Sequence, residues 1–201
     1  MRLIALSGIL MLMLLVIVAT MSTKTIQVVG RVAVVKFVSG KAYVERFGLK
    51  SRKTPLKKGM LVKTFDVVHT EEDGRIILHW VDGFQIELKP NTTLRILRSS
   101  FDRGKKTTTS LFLLRNGEVL TRFERKLNPG STFEIRTPIV VAAVRGTEFG
   151  MRINEDGSVV VKVYSGVVAL NIASGNVRLE IEGGKMVHIN SNGSYTINDI
   201  T

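Results

Sequence analysis

The sequence predicts an all-β protein: a multi-stranded sandwich or solenoid-like domain of short strands and tight glycine turns, preceded by one N-terminal hydrophobic helix. Beyond residue 24, apolar residues recur with period two and β-branched residues are frequent, which is typical of strands. Glycines near the carboxy terminus recur at a fixed spacing, as in short strands joined by tight turns. Because no Pro- or Ser-rich linker interrupts these strands, they are assigned to one domain, residues 28–199.

The N-terminal segment, residues 1–23, is predicted to be a signal anchor or a signal peptide. Leu3 to Met21 is uncharged and consists almost entirely of Leu, Ile, Val, Met and Ala. A membrane-crossing helix needs about 20 apolar residues, whereas the apolar region of a cleaved signal peptide usually has about 7 to 15. An uncleaved anchor is therefore favoured narrowly, with secretion after cleavage as the alternative. We expect a single-pass cell-membrane protein whose folded domain faces the periplasm or the exterior.

The first part of the domain contains strand-like segments at irregular spacing. Glycine, proline or charged clusters such as Asp73-Gly74 and Asn116-Gly117 separate nearly all of them. Strands are predicted at Val28–Val38, Ala42–Phe47, Leu61–His69, Arg75–Val81, Gln85–Leu88, Thr93–Leu97, Ser110–Leu114, Glu118–Arg125, Phe133–Arg136 and Thr147–Ile153.

The carboxy-terminal part repeats with a period of nine residues. The repeating glycines are Gly157, Gly166, Gly175, Gly184 and Gly193, and each follows a turn-forming residue. Dipeptides such as Asp-Gly, Ser-Gly and Asn-Gly supply the positive φ angles of two-residue hairpin loops, which leaves seven residues for each strand. Either a hairpin meander or a β-solenoid satisfies this period, and the sequence does not choose between them.

Composition excludes several classes of site and locates the positive charge. The chain has no cysteine, so no disulfide, thiolate nucleophile or cysteine metal site is available. Residues 24–126 contain 22 Lys and Arg against 10 Asp and Glu, whereas residues 127–201 contain 6 against 7. The net charge of +12 therefore belongs to the first part of the domain.

The basic residues form two bands that are predicted to be loops. One comprises Lys50, Arg52, Lys53, Lys57 and Lys58, and the other comprises Arg95, Arg98, Arg103, Lys105 and Lys106, with Arg122, Arg125 and Lys126 nearby. Solubilising turns are the favoured interpretation, and contact with an anionic surface such as lipid head groups or wall polymers is the functional alternative. With one Trp and three Tyr the chain has little material for base stacking, so no nucleic-acid partner is expected.

The sequence contains no recognisable catalytic or metal-binding motif. His69, His79 and His188 are widely spaced and form no paired metal-ligand motif, so neither a metal nor a cofactor is predicted. Distant carboxylates such as Asp66, Asp82 and Glu87 could meet in space and act on a glycosidic bond, but nothing in their spacing favours this. We therefore predict no catalytic residues and no enzymatic activity.

Residues 137–167 contain a distinctive sequence motif. It consists of Thr137-Pro138, then Val144-Arg145-Gly146-Thr147-Glu148-Phe149, then Asp156-Gly157, then Val161 and Val163 before Gly166-Val167. This motif resembles the central motif of FecR domains. Weaker similarity extends upstream, so that the resemblance covers roughly residues 55 to 170. One departure is Phe65-Asp66, where the family usually has Gly-Asp, and a different turn is expected there.

The resemblance implies an all-β extracytoplasmic domain, known best from transmembrane regulators that relay signals from outer-membrane receptors to a cytoplasmic sigma factor. Those regulators have a cytoplasmic segment before the span, whereas here the apolar segment starts at residue 3. We therefore expect a stand-alone FecR-domain protein: a non-catalytic interaction or scaffolding domain of the cell envelope that binds a protein, an anionic polymer or a lipid surface. A component of an anti-sigma type signalling pathway is the alternative, and a carbohydrate-active enzyme is a weaker one.

The residues of the central motif are interpreted as structural. Pro138 lacks a backbone donor and should mark a strand end or bend, while Gly146 should permit a bulge or a close backbone approach. Arg145 and Glu148 are expected to pair with each other, with contact to a partner as the alternative.

Overall fold

The computed structural model describes residues 28–46, 52–174 and 176–200, which form 18 strands and no helix. The strands are β1 (Val28–Gly30), β2 (Ala33–Ser39), β3 (Ala42–Arg46), β4 (Arg52–Pro55), β5 (Leu61–Val62), β6 (Val67–Thr70), β7 (Arg75–Trp80), β8 (Phe84–Leu88), β9 (Thr93–Asp102), β10 (Thr107–Phe123), β11 (Thr132–Arg136), β12 (Val140–Val144), β13 (Glu148–Ile153), β14 (Val159–Ser165), β15 (Val167–Ile172), β16 (Val177–Glu182), β17 (Lys185–Ile189) and β18 (Tyr195–Asp199). The all-β prediction is confirmed.

The predicted helix and signal segment, residues 1–23, lie outside the described residues. Within the described part of the chain, no helix has the length and apolar character needed to cross a membrane.

The strands form one mixed sheet that folds over on itself into two facing layers. Layer A has the order β4-β3-β6-β9-β10-β11-β12-β15-β16, with β1 beside the second half of β9. Layer B has the order β5-β2-β7-β8-β10-β13-β14-β17-β18. Among the described strands, β10 and β11 are the only parallel pair. Two facing layers correspond to the sandwich, one of the two predicted architectures.

The long strand β10 belongs to both layers because it bends at Asn116 and Gly117. Its first part pairs with β9 and β11, and its second part pairs with β8 and β13. Gly117 has φ 83°, and a Cβ there would collide with Thr92. Glycine is therefore required at the bend, since other residues rarely adopt this conformation and none would fit.

Some predicted strand boundaries change because the chain moves between layers. The predicted strand Val28–Val38 is divided into β1 in layer A and β2 in layer B. The predicted strand Leu61–His69 is divided at Phe65, which has φ 74°. The segment departs from the family's usual Gly-Asp in sequence, but Phe65 adopts the left-handed conformation that glycine favours.

The core between the layers contains a continuous cluster of aromatic rings. Trp80 stacks on Phe84 in layer B at a centroid distance of 4.6 Å and meets the edge of Phe112 in layer A at 5.3 Å. Phe133 in layer A contacts Phe84 at 5.1 Å and Phe149 in layer B at 6.4 Å. All five residues are at most 1% exposed. Their packing joins the layers and excludes water from the centre of the domain.

The nine-residue glycine repeat produces two kinds of turn in alternation. Gly157 and Gly193 lie in hairpins within layer B, whereas Gly166 and Gly184 lie at corners where the chain changes layer. Gly175 lies outside the described residues. Successive hairpins therefore enter layers A and B in turn, which is neither a simple meander nor a solenoid coil.

The sandwich has two distinct ends. One, here called the β1 end, contains the start of β1, the tips of the β7–β8 and β9–β10 hairpins and the corners of the repeat. The other, the bend end, contains the β10 bend and the hairpin turns at residues 154–158 and 190–194.

Candidate binding site

A cavity of about 470 Å³ opens between the two layers at the β1 end. Four separate segments line it: β1, the β7–β8 tip, the ends of β9 and β10, and the loop that follows β10. The lining residues are Val29, Arg31, Val81, Asp82, Phe101, Thr108, Arg125, Lys126, Leu127, Asn128 and Ser131. A concave site with apolar walls and a few polar groups is the usual form of a ligand pocket.

Arg31 is the buried charge of this pocket. It forms an ion pair with Asp82, and Nη1 donates a hydrogen bond of 3.0 Å to the hydroxyl of Ser110. The guanidinium also lies 5.6 Å from the ring centroid of Phe84. Burial lowers the pKa of Arg31 from its ordinary value, and the charge of Asp82 opposes this shift. The pair ties β1 to the β7–β8 tip across the cavity mouth.

Thr108 supplies the pocket with a buried hydroxyl group. The residue is 8% exposed, and its Oγ1 has no hydrogen-bond partner among the described residues. Its backbone N–H donates to the hydroxyl of Ser131 at 3.0 Å. A buried hydroxyl without a partner costs free energy, so a bound polar group would find a vacant donor and acceptor here.

The rim of the pocket is cationic and apolar. Arg125 and Lys126 are exposed, and Arg125 Nε donates to the carbonyl oxygen of Asp82 at 3.0 Å. Val81, at the β7–β8 tip, is 78% exposed. Positive charge beside apolar surface is complementary to an anionic group carried on an apolar body.

The central part of the sequence motif supports this rim. The N–H of Leu127 donates to the carbonyl oxygen of Arg145 at 2.9 Å. Gly146 has φ 137°, and a Cβ there would lie 2.8 Å from the Cα of Lys126. The close backbone approach expected at Gly146 is therefore present, and it holds the pocket segment against the corner between β12 and β13.

The remaining motif residues stabilise turns and the core. Thr137 Oγ1 accepts a 3.0 Å hydrogen bond from the N–H of Val140, and Pro138 lies in the turn after β11, as predicted for a strand end. Phe149 is a core residue, and Thr147 is buried against the corner at Gly166. Gly157 and Gly166, with φ 81° and 79°, form a hairpin and a corner respectively.

The prediction that Arg145 and Glu148 pair with each other is wrong. Glu148 binds Arg122 instead, with Nε to Oε1 at 2.7 Å, because these residues lie on neighbouring strands β13 and β10. Arg145 is exposed at the corner and has no ion pair within the described part of the chain.

The structure corrects the prediction that both basic bands are loops. Several of their residues lie in strands because they pair with neighbours in the sheet: Arg52 and Lys53 in β4, Arg95 and Arg98 in β9, and Arg122 in β10. The tip of the second band nevertheless lies far from the first band. Lys50 lies outside the described residues, and Arg52 is described for its backbone alone. The register places Lys53 level with Arg95, seven residues along β9 from Asp102 and therefore about 23 Å away. Lys57 and Lys58 follow β4 on the same distant side, whereas Arg103, Lys105 and Lys106 form the β9–β10 tip.

The carboxylates that could have met in one site are held in three different places. Asp82 pairs with Arg31 in the pocket, and Asp66 accepts a hydrogen bond from the N–H of Lys63 at 3.0 Å. Glu87, on the outer face of layer B, binds Arg75 at 2.8 Å and Lys89 at 2.6 Å. Among the described residues, no group of three or more metal-ligating side chains comes together.

The sequence did not single out Arg31 or Thr108 as site residues. A signal for Arg31 exists, because it is a single charge within the apolar run from Val28 to Val35. Such a position indicates a buried, paired cation. Thr108 carries no comparable signal, because three consecutive threonines surround the position and only the fold distinguishes the buried one.

Comparisons with known proteins agree with this fold. Two crystal structures of one proposed anti-sigma factor from Parabacteroides distasonis, at 1.65 and 2.50 Å, each match with a TM-score of 0.53 and 18% identity. Each match covers 66% of this chain and 59% of that one, so the similarity concerns the fold of part of that protein. Comparison with curated protein sequences gave no match. The family described as FecR protein matches residues 66–169, which is 104 of the 201 residues, and the chain belongs to this family.

Proposed function

We propose that this chain is a non-catalytic binding domain in a transmembrane signalling pathway of the anti-sigma type. The observation that carries the proposal is the FecR match over residues 66–169, which includes both the central motif and most of the pocket. The fold shared with a proposed anti-sigma factor supports the same class of function by analogy.

The pocket is the surface through which this domain would receive its signal. Its rim rests on the Arg145–Gly146 corner, so occupation of the pocket would act directly on the part of the fold that the family motif builds. Arg31 and Thr108 supply buried polar groups, and Arg125 and Lys126 supply charge at the entrance. An anionic segment of an envelope protein fits this combination of groups.

Transcript profiling after deletion of the gene in the source organism tests this role. A signalling role predicts a coordinated change in transcripts from promoters of one sigma factor, with wild-type levels restored by the full chain. The double variant Arg125→Glu/Lys126→Glu is expected not to restore them, whereas the matched variant Lys57→Glu/Lys58→Glu, outside the pocket, is expected to do so. An unchanged transcript profile after deletion would contradict the signalling role.

A further inference from the structure

The β1 end combines five cations with two exposed valines on one surface. Arg103, Lys105 and Lys106 form the β9–β10 tip, and Arg125 and Lys126 lie at the rim of the pocket; all five are exposed. The side-chain amide of Asn128 donates to the carbonyl oxygen of Lys106 at 3.1 Å, which joins the tip to the rim segment. Val28 and Val81, which are 44% and 78% exposed, belong to the same end.

The acidic residues nearby offset this positive charge only in part, because the five cations and Arg31 outnumber the three carboxylates beside them, Asp82, Asp102 and Glu124. Asp102 Oδ1 accepts hydrogen bonds from the N–H groups of Gly104 and Lys105 at 2.9 and 3.0 Å, which fixes the turn. Glu124 binds His79, with Nε2 to Oε1 at 3.2 Å, and Asp82 pairs with Arg31. Within the described part of the chain, none of the five cations has an ion-pair partner.

The strand register places the start of the domain, which follows the apolar N-terminal segment in sequence, next to this basic surface. Val28 is directly opposite Asp102, so the first described residue of the domain lies beside the basic tip. Six residues separate Met21, the end of the apolar segment, from Val28. Even fully extended, seven residue steps span at most about 25 Å. Wherever the apolar segment enters a bilayer, the β1 end is the part of the domain that must stay near it.

We propose that the β1 end is a docking face for anionic phospholipid head groups and holds the domain in a fixed orientation on the membrane. The five cations meet lipid phosphates, while Val28 and Val81 contact the boundary between head groups and acyl chains. Charge complementarity and the short tether both favour this occupant. Because the tether confines the domain near the lipid, even modest attraction per charge suffices to orient it. The proposal does not depend on the signalling role, but lipid and an anionic protein segment would compete for the same rim cations, Arg125 and Lys126. The charge reversal below is therefore confined to the β9–β10 tip, which is outside the pocket lining.

A single fluorescent label on each end of the full-length chain tests the orientation. The chain has no cysteine, so Gly104→Cys at the tip and Ser191→Cys at the bend end each give one labelling site. A Cβ at Gly104 would meet only the Asp102 carboxylate, at 3.4 Å, so the tip tolerates the change. The labelled chain is placed in lipid nanodiscs that carry nitroxide head groups, either all phosphatidylcholine or one third phosphatidylglycerol. We expect strong quenching at the tip in the anionic discs, little in the neutral discs, and little at residue 191 in either.

A charge reversal separates docking from simple proximity. Arg103→Glu/Lys105→Glu/Lys106→Glu, combined with a label at Val28→Cys, is expected to lower the ratio of docked to undocked domain by at least about a hundredfold. Loss of the three cations alone gives this factor, since each contributes roughly a fivefold preference, and the three added carboxylates are repelled by the lipid. The matched Lys57→Glu/Lys58→Glu variant should keep the wild-type quenching, and Trp80 fluorescence checks that both remain folded.

Three results would overturn the proposal: equal tip quenching in neutral and anionic discs, equal quenching at residues 104 and 191, or failure of the full chain to co-elute with the discs. High salt should abolish the quenching of the wild type, since the attraction is electrostatic.

Discussion

The two halves of this domain follow different construction rules. Residues 132–200 carry almost no net charge and include the glycine turns that recur every nine residues from Gly157 to Gly193, whereas residues 28–123 have connections of unequal length and most of the positive charge. Among the described residues, three of the four non-glycine residues with positive φ, namely Phe65, Asn91 and Lys106, belong to the irregular half. The regular half adds strands to both layers through short turns, and the irregular half carries most of the charge and most of the pocket. In this domain, the half with regular turn spacing serves as a scaffold, and the half with irregular connections carries the surfaces that can bind a partner.

Removing the ring of Phe133, which joins the two halves, should lower the free energy of unfolding more than any other change considered below. Phe133 in the regular half contacts Phe84, Phe112 and Phe123 in the irregular half. Phe133→Ala should lower the free energy of unfolding by about 3–5 kcal/mol, because it leaves a cavity between the layers. Denaturant unfolding followed by Trp80 fluorescence measures this loss. If Phe133→Ala lowers the free energy of unfolding no more than the half-exposed control Tyr195→Ala does, the two halves do not depend on this ring for their stability.

Adding a methyl group at Gly146, the corner of the family motif, should cause the second-largest loss of stability. Gly146→Ala places a Cβ 2.8 Å from the Cα of Lys126 at φ 137°, a conformation that is nearly restricted to glycine. We expect a loss of about 2–3 kcal/mol from strain and displacement of the pocket rim. Gly157→Ala is the matched control, because its φ is also positive but a Cβ there meets no atom within 4 Å, so it should cost only about 1–2 kcal/mol. Equal losses in thermal unfolding would contradict a supporting role for the close approach.

The ion pairs on the outer face of layer B should contribute a smaller, pH-dependent amount. Burial alone would raise the pKa of Glu87, but hydrogen bonds from Arg75 and Lys89 outweigh it and lower the pKa below its ordinary 4.5. Glu87→Gln should cost about 1–2 kcal/mol near pH 7, a value reduced by the exposure of the cations. Because the folded pKa is lowered, this contribution is fully present above pH 4.5 and is lost as the pH falls through the folded pKa. Unfolding measured from pH 7 to pH 3 should show the two proteins converging; a constant difference would contradict the assignment.

Relief of backbone strain in the irregular half should give the smallest change. Phe65 is 58% exposed at φ 74°, so its side chain gains little from burial while its backbone is strained. Phe65→Gly is expected to raise the free energy of unfolding by up to about 1 kcal/mol, since glycine adopts this conformation without steric cost. The same substitution at Phe37, which is 40% exposed in strand β2 without positive φ, should destabilise the domain. Destabilisation at both positions in chemical denaturation would indicate that Phe65 contributes packing that outweighs its strain.

The strands could be predicted from sequence because each layer has one buried face, which imposes the period of two. The alternation of hairpin and corner could not. Gly157 and Gly193 in hairpins have φ 81° and 88°, and Gly166 and Gly184 at corners have 79° and 87°. Both kinds of turn require the same residue in the same conformation, so the sequence records where the chain turns but not into which layer it goes.

The pocket was beyond sequence reasoning for a different reason. Its walls come from four segments that are distant along the chain, and its buried groups, Arg31 and Thr108, line the same pocket because β1 and β10 both flank β9. Glu148 illustrates the same point on a smaller scale. Its nearest cation along the chain is Arg145, but strand pairing brings Arg122 beside it.

The alternation of turns also fixes the length by which such a domain can grow. The turns Asn154 to Ser158 and Asn190 to Ser194 have the same internal hydrogen bonds, including an Asn side chain donating to a Ser hydroxyl, and they lie 36 positions apart in the same layer. A duplication of 36 residues would therefore add one hairpin to each layer and leave every later strand in place. A duplication of 18 would exchange the layers of everything that follows and turn buried faces outward. Length variation within this architecture should accordingly occur in steps of four strands.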